Sequence, residues 1–464
     1  MVQERIKWYL TLGVFVGLFL YAWQNRLDTV SAIINGEIRG ESRFLVYDAA
    51  EYYQLALKTP FPCFSTRRPP FFLCLGRSWL HVFGDLHAGT LQEVAQEKAR
   101  LSPAELSQRL LRVLSNELAM RRLNVATSQC ALLALFSLTL LLAGRFAALC
   151  AAFLWTFSTW DIRYSTSFLR EDLLVFLNLI LVLIFVLLIR NPTNKSTWFA
   201  STVLLIAVGS AASLTNLAYF ITILGMVLVY NLVKGLGRAW SRRDMAVSVA
   251  VYAGILAVAL PYLVFNYREV GAFFAPLHNH ARFWRNHEFA GQPGYPTRQE
   301  VIEGSRLGAP ITTFEYVFEK HSLLEVGRRY LQGYRYALGR YLPRLFNFIP
   351  PLELLRYALW LTLPGLVACH LLGREGYFLL FASLITLFPN AFILPLNVVL
   401  TKDAPAFGPG VEPRFTFPLL SFAMILCGLG AEKVREMIAR WFIDAGYFRR
   451  PRTTVETASR PIDR

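Results

Sequence analysis

An all-α polytopic transmembrane bundle is the fold class this chain predicts, and three observations predict it. About ten apolar segments recur along its 464 residues. Hydrophobic residues make up 55% of the chain and mean hydropathy is +0.40, too apolar for a soluble enzyme of this length. The charged clusters with chemical potential fall between the segments, on one side of the membrane they would build. One membrane unit over residues 1–431 is expected, followed by a basic cytoplasmic tail over 432–464.

The segments are 8–23, 123–142, 145–160, 173–189, 198–214, 217–233, 245–265, 354–372, 376–395 and 414–430. Most reach the roughly 20 residues that a helix needs to cross about 30 Å of hydrocarbon. The first reads as an uncleaved signal anchor. No small-residue cleavage site follows it, and Trp8, Tyr9, Tyr21 and Trp23 sit where interfacial aromatics are favoured. Juxtamembrane helices are expected in the long first outer loop, 24–122, and a second long outer loop covers 266–353. The tail carries Met437, Ile438, Trp441, Phe442 and Phe448 among Arg435, Arg440, Arg449 and Arg450, the pattern of an amphipathic helix on the inner leaflet.

Orientation follows from the short connections. Arg5, Lys7, Arg145, Arg190, Lys195, Lys234, Arg238, Arg242, Arg243, Arg374 and the tail from Lys433 fall on one side, so both termini are placed in the cytoplasm and the protein in the cytoplasmic (inner) membrane. The short outer turns 161–172 and 396–413 carry only Arg163, Arg170 and Lys402. The net charge of +16 is split between inner connections and outer loops, which favours anionic lipid inside and an anionic ligand outside over nucleic acid. Cys130, Cys150, Cys369 and Cys427 lie in apolar segments and are expected in the core; Cys63 and Cys74 share the first outer loop, where an oxidising compartment would permit a bridge. The chain has no CxxC, HExxH, P-loop or GxGxxG motif.

Two acidic motifs stand at the outer surface. In Tyr47-Asp48-Ala49-Ala50-Glu51-Tyr52-Tyr53 the acids are three apart, so on a helix both project from one face; the bland alternative is a capping box in which Asp48 caps the helix and Glu51 reaches back. In Arg170-Glu171-Asp172, directly before the fourth span, two carboxylates meet a helix N-terminus, which is partially positive. An ionisable group at this depth is costly unless it has a partner or a task. A third motif, Arg414-Phe415-Thr416-Phe417-Pro418, enters the last segment.

This set, an Asp in a D-x-x-x-Y-like segment after the first span, a second acidic motif before the fourth, and Arg-Phe-x-x-Pro entering the last, resembles the GT-C class of integral membrane glycosyltransferases. Protein O-mannosyltransferases, the lipid A aminoarabinose transferase and the catalytic oligosaccharyltransferase subunit belong to that class, and the resemblance in layout spans residues 1–430. It implies a sugar donor linked to a polyprenyl phosphate or diphosphate, a glycan, lipid or protein acceptor, and inversion at the anomeric carbon. Asp48 then stands as the base, with Glu171 and Asp172 orienting a substrate or holding a divalent metal ion, the one cofactor left open. Guanidinium groups for the leaving phosphate are available at Arg67, Arg68, Arg170 and Arg414, with Glu51 beside them.

Loop 266–353 interleaves Arg282, Arg285, Arg298, Arg306, Arg328, Arg329, Arg335, Arg340 and Arg344 with Phe283, Trp284, Tyr295, Tyr330, Tyr334, Tyr336 and Tyr341, a surface suited to sugars and phosphates. His278 and His280 are read as substrate contacts, ordinary loop residues or, with His287 and Glu288, metal ligands; the spacing does not decide. A loop this long acts as a lid or binding surface. Two rival functions remain: an O-antigen ligase or polymerase using residues 278–344, and a lipid-linked substrate transporter or flippase, which predicts charge at mid-span where this chain has almost none.

Overall fold

The computed structural model describes residues 2–38, 42–190, 195–235, 242–303, 308, 310–396 and 414–444. The expectations placed on Arg238, Arg306, Lys402, Glu412, Phe448, Arg449 and Arg450, and most of the outer turn 396–413, lie outside these residues. The chain is all-helical, with no strand among the described residues beyond one isolated bridge, Ser158 to Phe348.

In chain order the helices are α1 (Val2–Asn35), α2 (Tyr47–Lys58), α3 (Pro70–Phe83), α4 (Leu91–Glu97), α5 (Pro103–Ala143), α6 (Arg145–Thr156), α7 (Thr159–Ser165), α8 (Glu171–Arg190), α9 (Lys195–Thr215), α10 (Tyr219–Gly235), α11 (Arg242–Val270), α12 (Ala275–Glu288), α13 (Arg298–Glu303), α14 (Leu323–Tyr336), α15 (Leu342–Leu345), α16 (Thr362–Leu371), α17 (Arg374–Ala391) and α18 (Phe417–Asp444). Every apolar segment becomes a helix. Seven of these, including the stretch Leu352–Leu371 that ends in α16, are long and apolar enough to cross a membrane. Helices α6 and α10 are apolar but shorter, and α17 carries polar ends. The protein is an integral membrane helix bundle, in which α5 packs against α1, α6 and α8, and α18 against α6 and α16.

Several boundaries move outward from the apolar segments, for local reasons. Helix α1 runs well beyond residue 23 because nothing breaks it before Gly36, whose φ of 76° belongs to the left-handed region. Helix α5 starts twenty residues ahead of its apolar stretch. Its start is a capping box: Ser102 accepts from the Glu105 N–H while Glu105 accepts from the Ser102 N–H, with Pro103 in the first turn. At about 1.5 Å per residue its 41 residues span about 60 Å, so one half stands clear of the hydrocarbon. The two long loops, 24–122 and 266–353, are thus built of helices, α2 to the first half of α5 and α12 to α15.

Helix α18 passes without a break through the expected 431/432 boundary, exposing Met437, Ile438 and Trp441. Gly430 allows its backbone to meet the stretch before α16, since a Cβ there would lie 1.9 Å from the Leu361 carbonyl oxygen. Among the cysteines, Cys369 and Cys427 are buried, but Cys130 faces outward; Cys63 and Cys74 are free thiols set beside one another.

Candidate active site

The first acidic motif is placed by α5. Glu117 accepts the Leu45 N–H at 2.7 Å, three residues before Asp48. Arg121 donates to the Ser42 carbonyl at 3.2 Å and to the Thr166 carbonyl at 2.6 Å, tying the first motif to the turn that carries the second. Asn124 donates to the Tyr164 and Leu169 carbonyls at 3.2 and 2.7 Å. Two non-glycine residues next to the motifs, Tyr47 and Phe168, each hold φ near 52°, a left-handed conformation that side chains adopt only when the surroundings impose it.

Helix α2 begins at Tyr47 with Val46 at its N-cap and no side-chain cap, so the Asp48/Glu51 capping box does not form. The acids bind arginine instead. Arg68 Nη2 donates to Asp48 Oδ1 at 2.5 Å and to Glu51 Oε2 at 2.6 Å. Arg414 Nη1 donates to Asp48 Oδ2 at 2.6 Å, and its Nε lies 3.4 Å from Glu171 Oε1. Arg414 thereby joins two acids 123 positions apart in sequence, Asp48 and Glu171. Burial alone would raise the Asp48 carboxyl, but the Arg414 and Arg68 guanidiniums outweigh it and hold Asp48 well below the usual carboxylate range. The turn bearing Arg67 and Arg68 is fixed from α11 and α12: Tyr262 Oη donates to the Ser65 carbonyl at 2.8 Å, and Asn279 Nδ2 to the Thr66 carbonyl at 3.3 Å.

Asp172 does not join this cluster. Its side chain is fully buried, with no hydrogen-bond donor to either oxygen among the described residues, and its charged neighbours are Asp161, Arg26 and Glu171. Asp161 is bound by Arg26, whose Nε donates at 3.0 Å, and by Ser128 Oγ at 3.0 Å. Adjacent positions at the start of a helix point about 100° apart, so one acid faces out and the other in. Arg26 and Asp161 were not singled out from sequence. The available signal was an Arg at the exit of the first span and an Asp inside a membrane-level turn.

Three members of the cluster, Arg68, Glu171 and Arg414, line a cleft with Arg67, Arg170 and His280, and Leu217, Tyr219, Trp284, Tyr316, Tyr330, Phe388, Phe392 and Phe415 supply its apolar and aromatic walls; Asp48 and Glu51 are not among its lining residues. Tyr330 stacks on Phe388 with centroids 4.6 Å apart, and Gly333 lets α14 dock on α17, since a Cβ there would meet the Ala391 carbonyl oxygen at 1.8 Å. His280 is pushed down to about 3 by burial and then by Arg170 and Arg68, so it is neutral at pH 7. His278 is half-buried on the same helix and does not line the cleft.

Glu171 and Asp172, the pair expected to orient a substrate or hold a divalent ion, lie in different surroundings: Glu171 Oε1 is 3.4 Å from Arg414 Nε, and Asp172 is buried beside Asp161. Glu288, His321 and Glu325 offer ligand atoms within 4.8 Å of one another, but Arg329 bonds to both carboxylates, and His321 Nε2 lies 3.0 Å from Glu288.

No protein-family model and no curated protein matches the chain. Solved structures do. An oligosaccharyltransferase from Archaeoglobus fulgidus, AglB in complex with an inhibitory peptide and a dolichol-phosphate, superposes with a TM-score of 0.52 at 17% identity, covering 96% of this chain and 53% of that one. The same organism's oligosaccharyltransferase with Zn and sulfate gives 0.51 at 15% identity, over 94% and 50%. ArnT from Cupriavidus metallidurans bound to undecaprenyl phosphate gives 0.41 at 16%, over 94% and 79%. The chain spans about half the length of the oligosaccharyltransferases it matches. With its helical membrane bundle and its helical loop between α1 and α5, the chain has the fold of the GT-C glycosyltransferases.

Proposed function

We propose that the protein is a membrane glycosyltransferase that moves a sugar from a polyprenyl-phosphate or polyprenyl-diphosphate donor to an acceptor at the outer membrane surface, with inversion at the anomeric carbon. One observation carries this reading: Arg68 and Arg414, which hold Asp48 between them, line an aromatic-walled cleft beside an apolar bundle. Aromatic faces suit sugar and prenyl groups, and guanidinium suits phosphate.

Inversion requires attack from the face opposite the leaving phosphate. The bond from the acceptor heteroatom to the anomeric carbon forms, and the bond from that carbon to the phosphate oxygen breaks. The oxygen keeps the electron pair, and the acceptor proton passes to Asp48. With both arginines engaged Asp48 is a weak base, because a strongly depressed carboxyl accepts a proton poorly. A donor phosphate competes with Asp48 for the same guanidiniums, so donor binding strengthens the base while placing cations where the leaving charge develops. Glu171 and Glu51 act through Arg414 and Arg68, whose side chains they orient. Asp172 does not line the cleft and takes no part in this scheme.

The test is a panel of polyprenyl-linked sugars incubated with the purified full-length protein. Donor consumption by the wild type, abolished in Asp48→Asn with membrane insertion intact, is expected. Near wild-type turnover by that variant, or no donor consumed by the wild type, rejects the reading.

A further inference from the structure

Cys63 and Cys74 stand on either side of the turn that carries Arg68. Cys63 lies in the connection between α2 and α3, Cys74 in the second turn of α3, and Arg67 and Arg68 fall between them. The fold brings the two together. Cys74 Sγ donates to the Pro62 carbonyl at 3.1 Å, the group bonded directly to the Cys63 nitrogen, and it lies against the Cys63 thiol itself. Cys63 is buried and Cys74 half-buried, so the pair is reached from the Cys74 side.

Two further observations separate this pair from ordinary core cysteines. Cys63 has a φ of 60°, a left-handed conformation that glycine adopts freely and a side chain adopts only under constraint. Glycine there would relieve the backbone but lose the sulfur that meets α3. The Cys63 thiol is also held below its usual range by the neighbouring Cys74 thiol, with burial opposing and the Arg77 charge assisting. A thiol that ionises readily beside a second thiol is the reactant of disulfide exchange. Among the described residues no third metal ligand joins the two cysteines.

We propose that Cys63 and Cys74 close into a disulfide on the outer, oxidising side of the membrane, and that this bond tethers the turn carrying Arg68. Two S–H bonds break and one S–S bond forms; two protons are released, and two electrons pass to a disulfide-bearing oxidant, whose own S–S bond opens to two thiols. Without the bond the turn hangs on hydrogen bonds alone, from Tyr262 Oη to the Ser65 and Arg68 carbonyls at 2.8 and 3.2 Å and from Asn279 to the Thr66 carbonyl at 3.3 Å. Arg68 binds Asp48 and Glu51, so a closed ring restricts in advance the segment that the ion cluster needs held. The inference depends on loop 24–122 facing outward and not on the reaction catalysed.

Thiol trapping tests it on the unmodified full-length chain. Thiols are blocked with a maleimide in acid-quenched, denatured cells that express the protein, and again with a second maleimide after reduction, and the peptides are read by mass spectrometry. Cys63 and Cys74 should take only the second label, and the unreduced digest should hold their two peptides joined and lighter by two hydrogens. Cys130, Cys150, Cys369 and Cys427 should take the first label. First-label modification of both Cys63 and Cys74 overturns the proposal, as does a bond from either to another cysteine or a small-thiol adduct on Cys74. The tether is read by hydrogen exchange on purified protein: amides of residues 60–69 should exchange at least about fivefold faster after reduction. Exchange unchanged by reduction removes the tethering role. Free thiols in a chain whose loop 24–122 proves cytoplasmic also sink the inference, whereas consumption of a polyprenyl-linked sugar, measured separately, decides the glycosyltransferase reading.

Discussion

Asp48 is an acid whose proton affinity is set by two guanidiniums, and that gives it a defined pH behaviour. Its carboxyl lies well below the usual carboxylate range, so it stays charged from neutral through mildly acidic pH. The sign for stability follows: a carboxyl depressed on folding stabilises the fold above its unfolded value, and the contribution is lost as pH falls below about 3.9 toward the folded value. For catalysis, the acid limb of kcat/KM that belongs to Asp48 should fall below the ordinary aspartate range. Arg414→Ala removes one of the two cations, so it should move that limb upward and raise the donor KM severalfold; a limb and donor KM unchanged in the variant would remove Arg414 from the site. Sequence spacing was enough to bring Asp48, Glu51, Glu171 and Arg414 forward. It did not separate Glu171 from Asp172, because neighbouring residues at a helix start share every sequence signal and differ only in which way the helix is rotated against its neighbours.

At the scale of elements, α5 does more than cross the membrane. Its middle supplies Glu117, Arg121 and Asn124 to segments 42–48 and 164–169, so one rigid helix sets the distance between both acidic motifs. Arg121→Ala leaves the Ser42 and Thr166 carbonyls without that donor, at about 1–3 kcal/mol for the buried Thr166 group and less for exposed Ser42, which water can reach. Glycosyl transfer should fall at least tenfold while the protein still inserts, and residues 42–47 should be cut faster by protease; an unaltered rate and unaltered protection would show that α5 does not position the motifs. The start of α5 was legible, since Ser102-Pro103-Ala104-Glu105 is a capping-box sequence. Its partners were not, because a hydrogen bond from Arg121 to a backbone carbonyl has no signature in the acceptor's side chain.

For the whole molecule, the apolar helices establish an integral membrane protein, and the charge bias of its short connections predicts which face is outside. Cysteines placed at exposed Phe61 and Leu324 should react with an impermeant maleimide on intact cells, whereas one at Met437 should react only after permeabilisation. The reverse pattern would invert the topology and put the cleft in the cytoplasm. The sequence by itself determined the membrane class, the apolar helices and the acidic and basic residues of the site, because hydropathy and charge are local properties that the bilayer reads directly. Only the tertiary structure decided that Arg414 bridges Asp48 and Glu171, that Asp172 turns inward to Asp161, and that Arg67 and Arg170 line one cleft with Arg68 and Arg414. These are properties of helix rotation and long-range pairing, set by how the bundle packs and not by any window of residues.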